Sequence, residues 1–269
     1  MTNPTEIIPG VIFFSYYAAI RKEKSCLFED NTLVLQVSGS FLFETPRQRV
    51  SMEQGEMLLI RKNQLGDITK TPLDGGGYQT IVIRLQEDLL RKIALEERIE
   101  TKEKYTGPLN VLIPGSDFLH GFFQSIIPYV RNPEAKITTA MGMIKVKEAV
   151  QLLLHSMPGL REFLFDFSEP HKIDLEKFML NNFYFNVPVQ KFAQLTGRSL
   201  AGFKRDFQKE FGMSPRQWLQ EKRLTEARRL IEKKNRKPSA IYLDLGFETL
   251  SHFSHSFKKK FGKAPTEWL

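Results

Sequence analysis

The sequence predicts an α+β chain in two parts: a small β-barrel or sandwich with a helical extension, then an all-α domain. Three observations predict it. The first 86 residues are dense in short apolar and aromatic runs broken by glycine turns. From about Glu87 onward the apolar residues recur at helical spacing. The charge is also divided. Residues 1–168 hold 19 Lys/Arg and 20 Asp/Glu, net −1, whereas residues 169–269 hold 20 and 11, net +9. A length of 269 residues suits two cores. We therefore expect domains 1–168 and 169–269, with the boundary in Phe165–Lys172.

The elements follow in order. Val11–Ile20 is an apolar and aromatic run. Leu33–Val37 and Phe41–Phe43 flank Ser38-Gly39-Ser40, which reads as a hairpin turn. Arg49–Met52 and Met57–Arg61 flank a second turn, Gln54-Gly55-Glu56. Gly75-Gly76-Gly77 precedes Tyr78–Leu85, where Ile81, Ile83 and Leu85 alternate with other residues. Asp88–Arg98 predicts a short helix. Ser116-Asp117 caps a second one carrying Phe118, Phe122, Phe123, Ile126 and Ile127. A third runs from Lys136 to Met157. In it Met143, Val146, Val150, Leu153 and Met157 are spaced 3, 4, 3 and 4, a heptad seam. That seam could join two copies of the chain, or it could pack the helix on its own barrel. Two heptads do not decide between them.

Several functional classes fall on composition. No run of about 18 apolar residues is present, so no membrane span is expected. Met1–Gly10 lacks the basic and apolar regions of a secretory signal. The single Cys26 cannot form an intrachain disulfide, and a reducing cytoplasm fits. No phosphate loop, dinucleotide fingerprint or nucleophile–base motif appears, and Gly75-Gly76-Gly77 lacks the following Lys-Ser/Thr. His252 and His255 are three apart, where metal helices use four, so no metal or other cofactor is expected. The net +8 by itself fits nucleic acid, an anionic surface or an acidic protein.

A repeat chooses among these. Ser199–Leu219 and Thr249–Leu269 align without gaps at an offset of 50, with nine identities in 21 positions. The shared residues are Leu200/Leu250, Phe203/Phe253, Phe207/Phe257, Lys209/Lys259, Phe211/Phe261, Gly212/Gly262, Pro215/Pro265, Trp218/Trp268 and Leu219/Leu269. One structural unit is used twice. In the first copy Val189–Leu195 predicts a short helix and Thr196-Gly197-Arg198 a tight turn. Phe203, Phe207 and Phe211 then line one face of a second helix ended by Gly212. This is a helix-turn-helix pattern. The second copy repeats it with Ser239–Leu245, Gly246-Phe247-Glu248 and Leu250–Phe261, and its turn is one residue longer. Between the copies, Pro215 to Asn235 predicts a helix with Trp218, Leu224, Ala227 and Ile231 as its apolar stripe. About 20 residues span about 30 Å, close to the roughly 34 Å between successive major-groove faces of B-DNA.

From Ile173 to Leu269 the chain closely resembles the DNA-binding domain of AraC/XylS-type transcription regulators. Leu245-Gly246-Phe247, Phe253, Phe257, Lys258, Phe261-Gly262 and Pro265 carry the family's second-motif signature. The first part is similar to the family's cupin-like regulatory domains, in the version found in regulators of type III secretion. The resemblance implies that the chain binds double-stranded promoter DNA and works with RNA polymerase. It also implies that a small-molecule or protein effector acts on the first domain. Its base-reading positions correspond to Leu200, Ala201, Lys204 and Arg205, and to Leu250, Ser251, Ser254 and His255. Family members often carry Arg or Gln where this chain has Ser251 and His255. Arg198, Lys209, Lys258 and Lys259 are expected phosphate contacts. The rival expectation is a metal-dependent cupin enzyme with an accessory DNA-binding domain. Residues 1–119 contain no histidine to hold its metal. A DNA-repair methyl-transfer protein would need a reactive cysteine, and Cys26 has no neighbouring signature.

Overall fold

The computed structural model describes residues 4–100, 104–132, 138–168, 173–234 and 236–268. Residues 136–137 of the expected third helix, 169–172 of the expected boundary, and Asn235 lie outside the described residues. The chain divides into two compact units, 1–168 and 169–269.

Among the described residues unit 1 holds ten strands: β1 Thr5–Ile8, β2 Ile12–Tyr17, β3 Arg21–Phe28, β4 Asn31–Ser38, β5 Ser40–Glu44, β6 Arg49–Met52, β7 Met57–Ile60, β8 Gln64–Thr71, β9 Tyr78–Leu85 and β10 Asn110–Ile113. They make two antiparallel sheets. One is six-stranded, in the order β1-β2-β9-β4-β7-β10; the other is four-stranded, β3-β8-β5-β6. Side chains alternate across each strand, so β4 serves two cores. Val34 joins Phe41, Phe43, Val50, Met52, Ile68 and Tyr78 in one cluster with the four-stranded sheet. Leu33 and Leu35 point the other way, into a second cluster with the helices.

Ser38-Gly39-Ser40 is not a hairpin turn. β4 pairs with β7 and β9, while β5 pairs with β6 and β8, so this segment is a corner where the chain changes sheets. Gly39 takes φ +84°, and a Cβ there would stand 2.4 Å from the Thr71 carbonyl oxygen. Only glycine combines that backbone with that approach.

Helices cover the outer face of the six-stranded sheet. They are α1 Glu87–Glu96, α2 Asp117–Gln124, α3 Ile127–Arg131, α4 Thr139–Ser156 and α5 Leu160–Phe165. Ser116 caps α2 by accepting from the Leu119 N–H at 3.2 Å. The expected single helix from Ser116 is broken before Ile127, and Phe118 is exposed. The heptad seam is resolved in favour of packing within the unit. Val146, Val150 and Leu153 are fully buried in the cluster that holds Ile81, Ile83 and Leu85, and Met143 and Met157 are half-buried. The spacing that a coiled coil needs is also the spacing of one helix face on a sheet. Val146, Val150 and Leu153 are therefore core positions of unit 1.

Unit 2 is helical: α6 Leu175–Asn182, α7 Val189–Leu195, α8 Leu200–Phe211, α9 Pro215–Lys234, α10 Pro238–Ile241, α11 Leu250–Phe261 and a 3-10 turn at Pro265–Trp268. α10 has four residues, shorter than the expected Ser239–Leu245, because the chain from Tyr242 to Gly246 closes as turns. Trp218, Leu224, Ala227 and Ile231 form the buried stripe of α9, as their spacing predicts.

Candidate nucleic-acid interface

The two repeats fold alike down to their backbone hydrogen bonds. In the first, Arg198 N–H donates to Ala193 O at 2.9 Å and Gly197 N–H to Gln194 O at 3.0 Å. In the second, Phe247 N–H donates to Tyr242 O and Gly246 N–H to Leu243 O, both at 3.0 Å. This is the same left-handed helix stop twice, with Gly197 at φ +67° and Gly246 at φ +76°. Each stop turns the chain into the next helix. Ser199 caps α8 by accepting from Gly202 N–H, and Thr249 caps α11 by accepting from His252 N–H, each at 3.1 Å. One residue separates Gly197 from its cap and two separate Gly246 from its own, so the second turn is one residue longer.

The phenylalanines orient both second helices. Phe203, Phe207, Phe253 and Phe257 are fully buried. Phe207 meets Trp218 at 5.7 Å and Phe257 meets Trp268 at 6.2 Å, each edge-on at 80°. With that face anchored, the opposite face of each helix is turned to solvent. α8 exposes Leu200, Ala201, Lys204, Arg205 and Lys209; α11 exposes Leu250, Ser251 and His255, with Ser254 half-buried. Leu200 and Leu250 occupy equivalent places and are 37% and 39% exposed. A leucine held out in water at both sites is suited to a thymine methyl, while Lys204 and Arg205 offer donors for guanine. Beside Leu250, the outer face of α11 offers only hydroxyl and imidazole groups, from Ser251, Ser254 and His255. Its cations stand at the far end, where Lys258 and Lys259 are exposed and Lys260 donates to Glu221 O at 3.2 Å.

Of the expected phosphate contacts, Arg198 is corrected. Its guanidinium donates to Asp206 Oδ2 at 3.1 Å, to Ile173 O at 3.0 Å and to Thr196 O at 2.9 Å. Its side chain is 9% exposed and its donors are engaged within unit 2, so it is not held out toward solvent as Lys209, Lys258 and Lys259 are. The sequence signal was a carboxylate eight residues on.

Arg223 was not anticipated. From α9 it donates to Phe183 O, Phe185 O and Gly246 O at 2.7, 2.9 and 2.9 Å. Burial pulls this guanidinium down to about 10, so it remains charged at neutral pH. It ties the spacer helix both to the segment after α6 and to the second turn. The spacer begins with a reciprocal cap: Ser214 N–H donates to Gln217 Oε1 at 3.2 Å and Gln217 N–H to Ser214 Oγ at 3.4 Å. Its 20 residues extend about 30 Å.

No comparable chemistry converges elsewhere among the described residues. No group of three or more His, Cys, Asp and Glu could hold a metal ion, and no helix is long and apolar enough to cross a membrane. Burial pushes the Cys26 thiol up to about 12, with Glu23 adding to it, which suppresses the thiolate that methyl transfer would require.

Two helix-turn-helix units on one rigid spacer, joined in sequence to a separate two-sheet domain, define a two-domain DNA-binding regulator. Comparison with known proteins agrees. The family described as the ExsA N-terminal regulatory domain matches residues 31–163, and a helix-turn-helix domain family matches residues 192–269. The thermoregulatory protein LcrF of Yersinia pestis is 23% identical over 228 residues, 81% of this chain and 80% of its own. The virulence regulon transcriptional activator VirF of Yersinia enterocolitica matches over the same length at the same identity. Among solved structures, ToxT from Vibrio cholerae covers 96% of both chains at 12% identity with a TM-score of 0.46. With an ExsA-type N-terminal domain, a helix-turn-helix domain and AraC-type regulators as homologues, the chain is a DNA-binding transcription regulator; the comparisons support that reading over the metal-dependent enzyme.

Proposed function

We propose that the chain activates transcription by placing α8 and α11 in successive major grooves on one side of promoter DNA. The observation that carries this is the doubled unit: two identically capped helices with exposed outer faces, set at the ends of one 20-residue helix. Leu200, Ala201, Lys204 and Arg205, with Leu250, Ser251, Ser254 and His255, meet base edges. Lys209, Lys258 and Lys259 meet phosphates. Unit 1 is the regulatory part, on which an effector acts. The space between its sheets is filled by Phe41, Phe43, Met52 and Tyr78, so a small molecule would have to displace side chains there, which favours a protein effector. Activation implies contact with RNA polymerase, and promoter binding implies residence in the cytoplasm. The reading includes no catalysis and no copy-to-copy contact through Val146, Val150 and Leu153.

Selection of bound duplexes from a random library by the full chain tests this. Two blocks of preferred bases about 10 base pairs apart are expected; enrichment of no sequence would overturn it. Metal analysis of the purified chain tests the enzyme alternative, which one equivalent of iron, zinc or manganese in unit 1 would revive.

A further inference from the structure

On α8 a carboxylate follows the reading arginine: Asp206 is next to Arg205. A carboxylate accepts the same guanidinium donors that guanine O6 and N7 would take. Arg198 engages it from the turn, with Nε 3.1 Å from Asp206 Oδ2. Arg205 Nε forms a looser ion pair with Asp206 Oδ1, at 3.8 Å and without a hydrogen bond, and the Arg205 side chain is 79% exposed. The Arg198 guanidinium also bonds the Ile173 and Thr196 carbonyls, so it is fixed at three points and tied to the start of unit 2. The second repeat has no such arrangement. At an offset of 50, Glu248, His255 and Ser256 replace Arg198, Arg205 and Asp206.

We propose that Arg198 is a positioning residue for base reading: by hydrogen-bonding Asp206 it keeps the Arg205–Asp206 ion pair loose, so that the exposed Arg205 guanidinium can meet guanine, and it does not itself touch DNA. This rests on the base-reading role of Arg205 given above. It also makes the first repeat the one whose reading face is locked.

The test uses the full chain, a duplex that the wild-type chain selects from a random library, and a scrambled duplex of equal length. Affinity for both is measured across a salt series. Arg198→Met lowers the preference for the selected duplex about tenfold and leaves the salt slope unchanged. Arg198→Lys keeps a cation beside Asp206 and retains the preference. Adding Asp206→Asn to Arg198→Met restores most of it, because an amide does not hold Arg205 as an ion pair. A phosphate contact would instead lower the salt slope by about one and leave the preference intact. A scaffold residue would lower the melting temperature without changing the preference of the folded fraction, and Asp206→Asn would rescue nothing. Either result overturns the proposal. Loss of preference in Arg205→Ala alone rejects only the role of Arg198; loss in neither variant rejects base reading by Arg205 as well.

Discussion

Arg223 donates to the Gly246 carbonyl at 2.9 Å, so a side chain of the spacer helix holds the turn of the second helix-turn-helix unit. The same guanidinium holds Phe183 O and Phe185 O, so one side chain joins the segment after α6 to that turn. Arg223→Met would remove a donor from all three carbonyls, of which Phe185 O keeps the Val187 N–H at 3.1 Å. Such a loss costs about 3 kcal/mol. Both tryptophans of the chain, Trp218 and Trp268, lie in unit 2. Denaturant unfolding followed by tryptophan fluorescence therefore reports this unit, and a midpoint unchanged by Arg223→Met would refute the tie.

Gly246 and Gly212 separate two causes of glycine preference. Both have positive φ, +76° and +68°. A Cβ on Gly212 meets nothing within 4 Å, whereas one on Gly246 would lie 2.5 Å from Tyr184 O and 2.9 Å from Arg223 Cζ. Gly212→Ala should cost about 1 kcal/mol, the strain of the left-handed backbone alone. Gly246→Ala adds a backbone clash and displaces Arg223, so its loss must be larger. Equal midpoints for the two variants in the same fluorescence experiment would contradict this.

Much of unit 2 could be read from residues 169–269, because a gapless repeat reports packing directly. A phenylalanine every four positions fixes which face is buried, and the left-handed glycines mark both stops. Unit 1 was harder for a physical reason. β3 and β8 are polar strands, and Lys70 is buried between them on Glu23 at 2.8 Å. No apolar alternation announces a strand whose inward charge is paired with another strand. Gly39 likewise allows a hairpin or a corner, and only the partners of β4 and β5 decide. Arg198 was read as a phosphate contact because local sequence shows a cation but not the carboxylate that holds it.

Asp166 closes unit 1 against acid. Arg61 Nη2 donates to its Oδ2 at 2.7 Å, and Tyr105 N–H donates to the same oxygen at 3.1 Å. Burial pushes this carboxyl up. Hydrogen bonds from the Ser168 hydroxyl and N–H and from Tyr105 N–H, with the Arg61 charge, outweigh it and hold the carboxyl below its usual range. A lowered folded value means that the unfolded chain takes the proton first. The stabilisation is therefore complete above the ordinary carboxyl range, about pH 4, and is lost as pH falls through the folded value. Asp166→Asn should destabilise unit 1 by about 3 kcal/mol near neutrality, since Arg61 is then left buried without its anion. The gap between variant and wild type should narrow on acidification. Thermal melts by circular dichroism across pH check it; a gap that is constant down to pH 2 would remove Asp166 from the acid response.

Arg205 and Lys258 should fail in different ways when truncated. Arg205 projects from the exposed face of α8, and on the proposed base-reading role a paired contact with guanine is worth about 1–3 kcal/mol of discrimination. Lys258 lies in the last turn of α11, away from the reading positions, where a cation also suits the helix dipole. Arg205→Ala should therefore reduce the preference for selected over scrambled duplex while leaving scrambled binding nearly as strong. Lys258→Ala should weaken both duplexes alike and reduce the salt slope by about one. α11 carries only Leu250, Ser251, Ser254 and His255 at its reading positions, so single alanine changes there should cost less discrimination than Arg205→Ala. Titrations of the three kinds of variant on both duplexes at several salt concentrations decide the matter. A larger loss of preference from His255→Ala than from Arg205→Ala would make the second repeat the principal reader and reverse the division of labour between the two.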